Sequence, residues 1–173
     1  MSTVVKKGKI AADNIDSYVV SVQNTVTMDN GSQVVLGAPV VGSLGNYSVT
    51  APSAVTTQDV YMVLSQLVPK LVVNGVEYRI NITDPQLFTN VPNFPALAVK
   101  VAVGDEFTVT VPGFSSPPTV GEYVVPANSA YTLAPATDLS AGTAIAYLVV
   151  ATESISVSAG YIVAYRIRCV KAI

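Results

Sequence analysis

From Tyr18 onward apolar and polar side chains alternate: Tyr18, Val20, Val22, Val26 and Met28 fall on one row, and Ser21, Gln23, Thr25 and Thr27 on the other. A period of two sends successive side chains to opposite faces, so the segment reads as a half-buried strand, and helical spacing does not fit. Leu71-Val72-Val73 and Val76-Glu77-Tyr78-Arg79-Ile80 flank Asn74-Gly75. That dipeptide suits the positive φ angles of a two-residue hairpin turn, and the register then sets Val73 opposite Val76 and Leu71 opposite Tyr78. A second hairpin is expected from Val99, Val101 and Val103 through Gly104-Asp105-Glu106 to Phe107, Val109 and Val111, with Lys100, Thr108 and Thr110 facing out.

Toward the C-terminus, Ala144–Ala151 is apolar on both faces, as in a strand inside a packed sheet. Tyr161, Val163, Tyr165, Ile167 and Cys169 make one apolar row with Arg166 and Arg168 opposite, which places Cys169 in the core. Pro/Gly/Ser/Asn clusters at 37–45, 84–95, 112–118 and 126–135 separate the strands, and only single helical turns near 56–68 or 84–88 fit the pattern. The expected fold is all-β: one β-barrel or β-sandwich domain over residues 18–173, preceded by an extended N-terminal arm, residues 1–17. The arm holds three lysines within four positions and no sustained alternation; extended, it would reach on the order of 50 Å at about 3.3 Å per residue, and a frayed terminus that touches nothing fits the same residues equally well.

Composition narrows the function classes. Half of the 173 residues are apolar and only 12% are charged, with 9 Lys+Arg against 11 Asp+Glu. That balance lacks the clustered positive charge on which nucleic-acid binding rests. With no histidine and one cysteine, an internal disulfide, the usual zinc sets and a Ser-His-Asp triad are excluded. Asp105 and Glu106, the best paired acids, fall in an expected hairpin tip, where adjacent acids are ordinarily solvated; Lys100 lies on an outward row. Asp13-Asn14-Ile15-Asp16 and Asp29-Asn30 are weak calcium clusters, and Asn30-Gly31 reads more simply as a turn. The expectation is therefore no enzyme, no cofactor and no metal.

No apolar run approaches the ~20 residues of a membrane helix, and Lys6, Lys7 and Lys9 are not followed by the apolar run of a secretory signal. Synthesis in the cytoplasm is expected, with Asn46-Tyr47-Ser48 and Asn81-Ile82-Thr83 as chance glycosylation matches. Many outward positions are Thr, Ser, Ala or Val, and a weakly charged exterior is typical of subunits that bury area against partners.

Several segments in order, Asn30-Gly31-Ser-Gln-Val-Val-Leu36-Gly37, Asp59-Val60-Tyr61, Ile82-Thr83-Asp84-Pro85 with Phe88-Thr89 and Pro95-Ala96, Gly104-Asp105-Glu-Phe107-Thr-Val-Thr110, Gly121-Glu-Tyr123 and the strand from Tyr161 to Arg168, resemble the decoration (cement, or head auxiliary) proteins of tailed bacteriophages. The resemblance implies a structural virion protein on the capsid exterior, made in the host cytoplasm, that stabilises the shell by contacts with the major capsid protein. It also implies neighbouring copies of itself, with a homotrimer suiting three-fold lattice sites, and no nucleic-acid or membrane partner. The arm and the loop 84–95 supply the expected capsid contacts: Lys6, Lys7, Lys9, Asp13, Asp16, Asp84, Phe88 and Phe94. The alternative is a virion tail or fibre domain, or a glycan-binding β module, using some of the nine tyrosines.

Overall fold

The computed structural model describes residues 1–43, 45–65, 70–73, 76–79, 85–157 and 160–173. In chain order the strands are β1 (Val5–Lys7), β2 (Val19–Gln23), β3 (Gln33–Pro39), β4 (Asn46–Thr50), β5 (Tyr61–Val63), β6 (Lys70–Val73), β7 (Val76–Arg79), β8 (Ala96–Lys100), β9 (Glu106–Thr110), β10 (Tyr123–Pro126), β11 (Leu133–Ala136), β12 (Ala146–Val157) and β13 (Gly160–Lys171). The remaining regular elements are single 3₁₀ turns, so the protein is all-β. Strands β2-β4-β3-β5-β8 close a barrel, and β1-β9-β13-β12-β10-β11 form a six-stranded sheet.

Alternation along the barrel strands builds two cores. Val22, Val34, Val49, Val63, Ala96 and Ala98 cluster as one. Neighbouring positions Met62, Leu64, Val99 and Val101 point the other way and join Phe107, Val109, Val124, Leu133, Tyr147, Val149, Ile167 and Cys169 of the sheet in a larger cluster. One wall of the barrel is thus also the floor of the sheet. The apolar run at 144–151 is explained by its place: β12 lies between β13 and β10, and Ile145, Tyr147 and Val149 are buried. Cys169 is buried as expected, and β6 pairs with β7 in the expected register, Val73↔Val76 and Leu71↔Tyr78. Their turn, Asn74-Gly75, lies outside the described residues.

The hairpin expected over 99–111 does not form. β8 pairs with β2 and β5 in the barrel, whereas β9 pairs with β1 and β13 in the sheet. Residues 101–105 carry the chain between the two layers, turning at Gly104 (φ 97°). Both flanking strands send apolar rows into the same core from opposite sides, so their alternation imitates that of a hairpin. Thr108 and Thr110, expected outside, are buried: Thr108 Oγ1 donates to Glu153 (2.9 Å), and Thr110 Oγ1 accepts from the Val4 amide (2.9 Å). Tyr161, expected in the core row, is 80% exposed. β13 has run past the end of β9, whose last pair with it is Ala164↔Thr110. The row begun at Tyr18 stops as strand at Gln23, and Val26 is exposed.

Residues 1–17, expected as an arm reaching away, are laid along the domain. β1 is an edge strand on β9, and Val4, Ile10 and Ala12 are buried. Backbone bonds continue on both sides of it, Thr110 N to Val4 O (3.0 Å), Gly8 N to Glu106 O (2.9 Å) and Glu106 N to Lys9 O (2.9 Å). The fit is close: a Cβ on Gly31 would lie 2.8 Å from Val5 Cγ2, at a φ of +88° that side chains avoid anyway. Composition hid this because β1 is only three residues long and two of them are lysine.

Candidate interaction surface

The nominated contact residues divide by burial. Lys6, Lys7, Lys9, Asp13 and Asp16 are exposed. Lys6 and Lys7 sit on β1 opposite Thr108 and Phe107, and Asp13 follows in the first 3₁₀ turn, Ala11–Asp13, where its Oδ1 accepts from Lys7 Nζ at 3.2 Å. The structure therefore gathers the lysines and Asp13 along one edge of the sheet. Phe88 is 4% exposed and belongs to the interior of this chain, Phe94 is half-buried, and Asp84 lies outside the described residues.

What fixes this edge is Asp105, which sequence reasoning took for a solvated turn acid. It is 5% exposed; Oδ1 accepts from the Ala11 amide and Oδ2 from the Ala102 amide, both at 2.8 Å. Its own carbonyl accepts from Cys169 N (2.8 Å), and Gly104 N donates to Cys169 O (2.9 Å). One carboxylate thus ties together the N-terminal segment, the barrel-to-sheet crossing and β13. Glu106 turns the other way and meets Arg168 at 2.6 Å. The adjacent acids do not converge on a common point, as a paired-acid mechanism would require. Glycine before an acid at a strand start was the available signal, but it cannot name partners 94 residues away.

Among the described residues the buried polar side-chain atoms are likewise all partnered. Tyr147 reaches from the sheet to Gln33 Oε1 on β3 (3.4 Å), and Gln33 Nε2 donates to Gly31 O (2.9 Å). Burial pushes the Tyr147 phenol well above its usual range and the Cys169 thiol up to about 11, so both are protonated at neutral pH and poor nucleophiles. Asn46, in a glycosylation-like triplet, is buried with its amide bonded to Ser21 and Ser43. Asn81 and Thr83 lie outside the described residues. Among the described residues no group of three or more Cys, Asp or Glu side chains is placed to share a metal ion.

The outer face of the sheet carries Glu153 with Arg166 (3.4 Å), and Glu106 with Arg168. Beyond these pairs β12 and β13 carry one more charge, Lys171 at the far end of β13, and Tyr161 and Val163 are exposed on one side. Met1, Val111, Pro112, Ile162 and Val163 line a mostly apolar groove of about 340 Å³ beside it. No protein-family model, curated protein or solved structure matches the chain.

Proposed function

We propose that the protein is a structural component of a tailed-phage virion that binds the outer capsid surface and stabilises the shell through the major capsid protein. The observation that supports this reading best is the basic edge. Lys6, Lys7 and Lys9 are exposed on backbone held by β9 and by Asp105, so they meet a partner without the cost of ordering a free arm. An acidic shell surface is the complementary partner. Each exposed ion pair contributes about 0–1 kcal/mol, and many copies on one lattice multiply the effect.

The test is co-sedimentation with expanded capsid shells. The wild-type chain is expected to pellet at a stoichiometry set by the lattice. A Lys6→Glu/Lys7→Glu/Lys9→Glu variant, whose changes lie on exposed side chains, should keep its circular dichroism and lose roughly tenfold or more in affinity, with a loss of similar sign for the wild type in high salt. Failure of the wild-type chain to pellet with shells, or binding to a glycan array without shell binding, overturns the reading.

A further inference from the structure

β12 is twelve residues long, but its outer neighbour covers only its beginning. β10 pairs with it at Tyr123↔Leu148 and Val124↔Tyr147, and the last backbone bonds on that side join Val149 to Gly121 (2.8 Å) and Glu122 (2.9 Å). From Val150 to Ser156 the strand pairs with β13 on one side, and among the described residues no strand pairs with the other. Such an edge turns alternate N–H and C=O groups outward, and proteins normally block edges with Lys, Pro, a bulge or short length. The sequence Val150-Ala-Thr-Glu-Ser-Ile-Ser156 holds no Lys and no Pro. Its one register irregularity falls between Val149 and Ala151, at the very start of the open stretch.

The charge pattern says what the edge accepts. Its single charge, Glu153, is engaged within the chain by Arg166 (3.4 Å) and by Thr108 Oγ1 (2.9 Å). Thr152, Ser154 and Ser156 are exposed, and the adjoining row on β13 offers Val163 and Tyr161, 49% and 80% exposed. A charged strand finds no counter-charge here, whereas the strand is compatible with itself. Antiparallel pairing about Ser154 sets Ser154 against Ser154, Thr152 against Ser156 and Glu153 against Ile155, so like charges never meet and hydroxyl pairs fall together.

We propose that the Val150–Ser156 edge of β12 is a homotypic interface, pairing antiparallel with the same edge of a second copy about a two-fold axis and joining two six-stranded sheets into one. An isologous contact of this kind closes at two copies. It does not depend on capsid attachment and is tested on the purified chain alone. Native mass measurement should find a species of twice the 18.0 kDa chain. Amide hydrogen exchange across 150–156 should slow as protein concentration rises. Ser154→Lys, an exposed change that sets two lysines face to face at the axis, should weaken the dimer by roughly a hundredfold or more with circular dichroism unchanged. A wild-type chain monomeric at its highest soluble concentration overturns the proposal. So does a dimer whose 150–156 amides exchange as fast as the monomer's. A monomer whose 150–156 amides become protected only on adding capsid shells also overturns it, and assigns the edge to a shell strand.

Discussion

Cys169 and Tyr147 are cross-strand partners on the buried face of the sheet, and their shared environment gives the protein an alkaline limit. Burial raises the thiol from an ordinary 9.0 to about 11 and holds the phenol well above 10.0. In the unfolded chain both lose their protons nearer the ordinary values. Between pH 9 and 11 the folded state therefore binds more protons than the unfolded one, and stability must fall as pH rises. It is full below pH 9 and is lost through that window. Urea midpoints measured from pH 8 to 10.5 should decline, and Cys169→Ala should flatten the decline while lowering stability modestly at pH 8. An equal slope in both proteins would show that the thiol does not carry it. The core position of Cys169 was legible in the sequence because the alternation from Tyr165 to Cys169 is local. The exposure of Tyr161, on the same row, depends on where β9 ends, and no residue near Tyr161 records that.

Elements divide in the same way between local and remote causes. The register of β6 and β7 was readable because only two residues separate the strands in the sequence, which leaves little room for another pairing. The separation of β8 from β9 was not, because the two rows enter one core from two layers. The placement of β1 was not, because three residues carry too little pattern and their anchor is a carboxylate far along the chain. That anchor makes a test at this scale. Asp105→Ala leaves the Ala11 and Ala102 amides without their acceptor inside the protein, a loss of about 2–4 kcal/mol given two charge-assisted bonds and the desolvated donors left behind. The variant should remain folded in the barrel yet expose its N-terminal segment. Trypsin cleavage after Lys6, Lys7 and Lys9 should accelerate well before cleavage elsewhere. Cleavage at the wild-type rate would mean that β1 is held by its pairing with β9 alone. The contact lysines nominated from sequence share this edge with their anchor, so the same variant links the fold to the proposed surface.

At the scale of the molecule the barrel and the sheet share one wall, and that should make them one cooperative unit. Met62, fully buried on β5, lies in the same cluster as Phe107, Tyr147 and Ile167 of the sheet, while its neighbour Val63 fills the barrel. Neither layer can leave without opening the core of the other. Gln33 reinforces the junction by meeting Tyr147 across it, and Asp105 does so at the crossing between β8 and β9. Met62→Ala removes side-chain volume from the common wall and should cost about 2–5 kcal/mol, the range for large-to-small changes in cores that relax only in part. Because the loss is shared, hydrogen exchange under increasing denaturant should show barrel peptides such as 19–23 and sheet peptides such as 146–149 opening with one free energy, lowered equally by the substitution. Two separated transitions, with Met62→Ala shifting only the barrel, would show instead that the wall is a contact between independent units. In that case a surface built on the sheet edge could be mounted on a different support without loss. With a single transition, the sheet on which β1 lies opens only when the barrel does, while β1 itself is held locally by β9 and Asp105.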